Sequence, residues 1–129
     1  MAITPNDDQF AALASSEQEG EVVMLNLLRY KHEASGGEGS GEEAYRQYGN
    51  RAVKMVEERG GQVLWMGKPD QVLIGDESAN HWDAVALVSY PSRKAFIDMV
   101  TQPDYEKAHE HRESGLSDTV LIAMTPRDE

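Results

Sequence analysis

Glu21 to Tyr30, EVVMLNLLRY, alternates with period two, and both of its faces are apolar. Val23, Leu25 and Leu27 share one face; Val22, Met24, Asn26 and Leu28 share the other. A second such run opens at Trp82, where Val85 and Leu87 alternate with Ala84, Ala86 and Val88. Strands apolar on both sides belong in the middle of a sheet covered on both faces. Pro91 breaks this second strand, and Ser92 is placed to cap a helix whose stripe is Phe96, Ile97, Met99 and Val100.

The remaining periodic segments complete an order. Ser40 and Glu43 have capping-box spacing, and behind them Tyr45, Tyr48, Ala52, Met55 and Val56 recur at helical intervals through Glu58. Gly60 and Gly61 end that helix. Gln62 to Gly67 and Gln71 to Gly75 are short apolar runs, read either as one strand with a bulge or as a tight hairpin. Asp76 to His81 is a polar turn. Pro103 begins a further helical turn on which Tyr105, Ala108, His109 and Arg112 share a face; Gly115 closes it, and Asp118 to Met124 is the last strand. At the start of the chain, Thr4 as cap, Pro5 in the first turn and Asp7 and Asp8 after it predict a short helix with Phe10, Leu13 and Ala14 inward. Lys31 to Gly41, rich in Gly, Ser and Glu, reads as a mobile loop.

The order after the leading helix is β-α-β-β-α-β, the ferredoxin-like split motif, which makes the fold class α+β. The expected organisation is a single domain over 1–129, with 1–20 a helical appendage and 21–125 the ferredoxin-like core. In this motif both crossover helices pack on one side of the sheet. Met24, Leu28, Val88 and Ile122 are expected on the other side, in water. Burying such side chains is worth ~1.5–3 kcal/mol each, so a second copy related by a two-fold axis is expected to cover them.

Composition narrows the functions. The chain has 129 residues, 40% hydrophobic and 27% charged, which is enough for a packed core. Against 12 basic residues stand 23 acidic ones, a formal net charge of −11, which disfavours nucleic acid and anionic membranes as partners. With no cysteine there is no disulfide, thiolate nucleophile or thiolate metal site. No apolar run approaches the ~20 residues of a membrane span, and the first residues lack the pattern of a secretory signal. The expected location is cytoplasmic.

NLLRYK, YRQYG, GGQVLWMGKPDQVLIGDE, WDAVALVSYPSRKAFIDMV and YEKAHEHRESGLSDTVLIA resemble the family called domain of unknown function 1330, over about Val22 to Thr125. That family is similar to the dimeric α+β barrel proteins, in which two ferredoxin-like sheets close around a cavity. The group includes cofactor-free monooxygenases, muconolactone-isomerase-like enzymes, dye-decolourising peroxidases and ligand-binding proteins without known chemistry. The resemblance implies a homodimer through the sheet face and leaves the activity open, because fold does not imply function. The leading helix and the loop at Ser35 to Gly41 lie outside it.

The candidate chemistry centres on His109-Glu110-His111-Arg112. Helical positions two apart point to nearly opposite sides, so His109 and His111 do not converge on a metal, and no metal or cofactor is expected. His109 and Arg112, facing inward beside Tyr105, are placed to hold a carboxylate by charge-assisted hydrogen bonds. The plainer reading pairs Arg112 with Glu113 or Asp118 and packs His109 on a tyrosine. Asn26 in a core strand needs a partner, either a ligand carbonyl or a backbone group at a bulge. Trp82 and Tyr90 bracket Ala84 and Ala86, leaving room for a small ligand unless helix side chains fill it. Tyr45 and Tyr48 read as core. The favoured function is binding of a small organic molecule, acidic or carbonyl-bearing, at Asn26, Trp82, Tyr90, His109 and Arg112. The alternatives are a cofactor-free oxygenase- or isomerase-type enzyme with His109 as acid or base, and an interaction domain without a ligand.

Overall fold

The computed structural model describes residues 3–36 and 39–127. Gly37 and Glu38, within the segment expected to be a mobile loop, lie outside the described residues. The chain runs α1 (Asp7–Ala14), β1 (Val22–Tyr30), α2 (Gly41–Glu58), β2 (Gln62–Gly67), β3 (Ala84–Tyr90), α3 (Arg93–Val100), α4 (Pro103–Gly115) and β4 (Leu116–Met124). The strands form one antiparallel sheet in the order β2-β3-β1-β4, so the two apolar strands are the inner pair. The α+β class and the ferredoxin-like order are those the sequence pattern predicts.

Local chemistry explains the helix ends. Ser40 caps α2 by accepting from the Glu43 amide, and Gly60 follows the C-cap at φ +80, the left-handed conformation that glycine adopts without strain. Ser92 caps α3 by accepting from Ala95 N. The start of α1 differs from expectation. Its cap is Asn6, whose side chain accepts from Gln9 N at 2.7 Å while Gln9 Oε1 accepts from Asn6 N at 3.1 Å. This reciprocal pair satisfies two helix-end donors, which Thr4 and Pro5 leave to it.

Three further expectations are corrected. Gln71 to Gly75 forms neither half of a bulged strand nor a hairpin partner: it is a bend in which Leu73 and Ile74 are 85% and 92% exposed. β4 begins at Leu116 rather than Asp118, because α4 turns directly into it. The assignment of faces also changes. Met24 and Leu28 are fully buried towards the helices, and Val88, the Cα partner of Met24, packs on the same core. The uncovered face carries instead the row Trp65-Leu87-Leu25-Ile122, with Val23, Leu27 and Val85 beside it. Of the four residues expected in water, only Ile122 belongs there.

The buried side chains form two clusters. Val22, Met24, Val56, Tyr90, Phe96 and Met99 make one; Leu28, Ala84 and Leu116, flanked by Ile3, Tyr30 and Tyr45, make the other. Along β1 and β3, the row between them is Asn26 opposite Ala86. A polar residue facing a single methyl group cannot join the clusters into one continuous core, and a cavity opens there.

The two long helices touch through backbone. Lys31 N donates to the Gly115 carbonyl at 2.8 Å, and Gly41 N donates to the Lys31 carbonyl at 3.1 Å. A Cβ on Gly115 would meet the Gly41 carbonyl oxygen and come within 2.9 Å of Tyr45 N. The start of α2 and the end of α4 are thereby fixed against each other.

Candidate functional site

The cavity occupies about 1300 Å³ between the sheet and the helices of a single chain. It lies on the helix-covered face of the sheet, opposite the face through which the resemblance implies that two sheets meet. Its floor is the helix-facing side of β1 and β3, with Asn26, Ala86, Val88 and Tyr90; α2 and α4 supply Tyr45, Tyr48, Tyr105, His109 and Arg112. The N-terminal segment closes one side with Ile3, Phe10 and Leu13.

Arg112 is the most unusual group in it. The residue is 5% exposed, yet it forms no ion pair among the described residues. Nη1 donates to the Ile3 carbonyl at 2.6 Å, Nη2 donates to Thr119 Oγ1 at 3.4 Å, and the guanidinium lies 6.0 Å from the centre of the Tyr48 ring. The carboxylates that a local reading offers it are turned elsewhere. Glu113 approaches His109 at 3.0 Å, and Asp118 pairs with His81 at 3.1 Å. A buried cation held only by neutral oxygens and a ring face is under-compensated.

His109 stacks on Tyr105 with ring centres 5.7 Å apart. Glu113 Oε1 lies 3.0 Å from Nε2, while Nδ1 is buried without a hydrogen-bond partner among the described residues. Burial, and after it the charge of Arg112, hold the His109 pKa below its ordinary value of 6.5; Glu113 only partly opposes them. The unfolded chain therefore takes up this proton first as pH falls. The contribution of His109 to stability is complete above 6.5 and is lost as pH drops from there through the depressed value. His109→Gln is expected to flatten that part of a thermal stability profile, and an unchanged slope would place its origin in another group.

The tyrosines form a continuous wall. Tyr45 and Tyr48 rings lie 5.2 Å apart, Tyr48 and Tyr105 lie 6.0 Å apart, and the Tyr48 and Tyr105 hydroxyls share a hydrogen bond of 2.9 Å. Burial pushes the phenols of Tyr45, Tyr48 and Tyr105 up, so they remain neutral hydrogen-bonding groups. Asn26 Nδ2 donates to the Met24 carbonyl at 3.2 Å and the Ala86 carbonyl at 3.4 Å.

Four of the five residues singled out from the sequence, Asn26, Tyr90, His109 and Arg112, therefore line one cavity. Trp82 does not. It precedes β3 instead of lying on its face, and its ring packs edge-on against His81 at 4.9 Å. Tyr45 and Tyr48, read as core, are cavity walls; the helical stripe that marks them does not distinguish the two roles. The Ile3 carbonyl had no signal, since it meets Arg112 across 109 positions of sequence.

This architecture defines a ferredoxin-like α+β protein with a polar-anchored cavity under its helices. The profile of the family described as domain of unknown function DUF1330 matches residues 39–125, and the chain belongs to that family. The protein RPA0582 of Rhodopseudomonas palustris, itself of unknown function, has a crystal structure similar to this one. The two are 37% identical, with 98% of each chain covered and a TM-score of 0.90. That coverage leaves no room to omit the N-terminal helix, so the similarity extends beyond the span suggested by the sequence motifs. More distant structures share the fold. SnoaB, a cofactor-independent oxygenase from Streptomyces nogalater, is 14% identical over 85% of this chain and 96% of its own, with a TM-score of 0.56. A dimeric ferredoxin-like protein of unknown function from Thermobifida fusca is 13% identical over 87% and 96%, with a TM-score of 0.54. No curated protein matches the chain. No described helix is long and apolar enough to cross a membrane.

Proposed function

We propose that this protein binds a small organic acid in the cavity of each subunit, with Arg112 as the anchor for the acid group. The observation that carries the reading is Arg112 itself, a buried guanidinium on a cavity wall whose partners are all uncharged. A carboxylate, or a carbonyl oxygen carrying partial negative charge, supplies what that group lacks. The surrounding wall of neutral tyrosines suits a flat or apolar body. The uncovered sheet face and the dimeric Thermobifida fusca neighbour support a homodimer joined through the sheets, as a frame for two such sites.

Calorimetric titration with benzoate tests the anchor. A hydrogen bond to a charged group is worth about 1.5–3 kcal/mol, so Arg112→Met is expected to weaken binding about tenfold to a hundredfold. His111→Gln, on a residue that does not line the cavity, is expected to leave it unchanged. Equal affinities in all three proteins would reject Arg112 as the anchor.

A second reading, a cofactor-free enzyme related in chemistry to SnoaB, draws on His109. Its imidazole lines the cavity, and burial holds its pKa below the ordinary value, which suits a general base for removing a proton from an acidic C–H or O–H. Turnover by such an enzyme would stay level above pH 6.5 and fall below it as His109 protonates, and His109→Gln would abolish it. Activity retained in His109→Gln would exclude this role.

A further inference from the structure

We infer that Asn26 is a specificity-determining hydrogen-bond acceptor, which makes the preferred ligand an acid carrying an O–H or N–H donor away from its carboxylate. The inference rests on Arg112 as the acid anchor and adds a second, opposite requirement. Asn26 sits on an inner strand, on the face turned to the helices, with Ala86 and Leu121 as its Cα partners. Its Nδ2 is directed at two backbone carbonyls, Met24 O and Ala86 O. Carbonyl oxygens only accept, so the amide can serve them with its NH2 end alone; turned over, it would set oxygen against two oxygens. The orientation follows from the partners. Oδ1 is then directed away from the backbone and meets no donor among the described residues. A ligand carbonyl, the partner a strand asparagine suggests at first sight, would be repelled by that oxygen. A hydroxyl or N–H would be held.

The acceptor and the anchor are also separated. Arg112 Nη2 lies 3.4 Å from Thr119 Oγ1, and Thr119 is the Cα partner of Leu28, two positions along β1 from Asn26 on the same face. Such a diagonal spans about 7–8 Å between backbone positions. An ionised carboxylate has no donor to offer Asn26 Oδ1, so the acid and the donor belong to different parts of the ligand.

Matched aromatic acids test this in the intact protein: benzoate, 3- and 4-hydroxybenzoate, and 3- and 4-fluorobenzoate. The fluoro acids are close in size to the hydroxy acids and cannot donate. At least one hydroxy acid is expected to bind about fivefold or more tightly than its fluoro counterpart, the scale of one neutral hydrogen bond. Asn26→Leu is expected to erase that preference, so that each hydroxy acid binds no more tightly than its fluoro counterpart. In the unaltered protein the side-chain NH2 resonances of Asn26 should shift with the hydroxy acid and not with the fluoro acid, a measurement that does not depend on the variant folding. Fluoro and hydroxy acids of equal affinity, a preference that survives in Asn26→Leu, or Asn26 resonances indifferent to the hydroxyl would overturn the inference. If benzoate binds through Arg112 without any hydroxyl preference, this inference alone falls; if none of the acids binds, the anchor falls with it.

Discussion

Gly115→Ala is expected to lower the free energy of unfolding by at least about 3 kcal/mol, measured by urea denaturation. The added methyl group has nowhere to go. It would meet the carbonyl oxygen of Gly41 and the backbone nitrogen of Tyr45, neither of which swings aside like the end of a side chain. Relief requires α2 and α4 to separate, and separation breaks the Lys31 N to Gly115 O hydrogen bond that ties the end of α4 to the chain leaving β1. Gly49→Ala is the control. A Cβ there has nothing within 4 Å, and within α2 an alanine is worth about 0.5–1 kcal/mol over glycine, so stability should rise. If Gly115→Ala melts with the unaltered protein, the helices do not approach as closely as described.

Ile122→Asp is expected to convert a dimer into a folded monomer. Ile122 is 44% exposed in the single chain and Trp65, at the other end of the same row, is 55% exposed, with Leu87 and Leu25 between them. An aspartate at that position is tolerated while the face is in water. Once a second copy covers the face, each carboxylate loses its hydration at a cost of several kcal/mol, and symmetry places two in every dimer. Val88→Asp separates this effect from simple unfolding, because Val88 packs on the buried cluster under the helices. Its charge should unfold the subunit. Sedimentation provides the readout, and an unaltered protein that runs as a folded monomer at micromolar concentration would reject the sheet-face dimer.

Period and punctuation made most of the fold legible. The alternation in β1 and β3, the caps Ser40 and Ser92 and the terminating Gly60 are local signals, and local hydrogen bonds realise them. The faces of β1 could be separated by counting, but not assigned. Val23-Leu25-Leu27 and Val22-Met24-Asn26-Leu28 are both largely apolar, and the placement of α2 and α3 decides which set is buried. Leu73 and Ile74 misled for a similar reason, since an apolar pair reads as strand although no neighbouring strand reaches it. At the site, helical spacing brought Tyr105, His109 and Arg112 to one face. What holds Arg112 was not legible, because its partner is a main-chain oxygen at the far end of the sequence and a backbone carbonyl leaves no mark on residue type.

That main-chain oxygen has a consequence for any affinity measured on this protein. The Ile3 carbonyl occupies Arg112 Nη1, on a segment that the Asn6–Gln9 capping box and the packing of Leu13 hold in place. It is a tethered competitor, present at a fixed effective concentration whatever is added to the solution. An acid arriving at Arg112 enters an exchange with that carbonyl instead of filling an idle donor, and a titration reports the exchange rather than the bare contact. The firmness of α1, which has no buried residue of its own, thus enters the binding constant as directly as the side chains that touch the ligand.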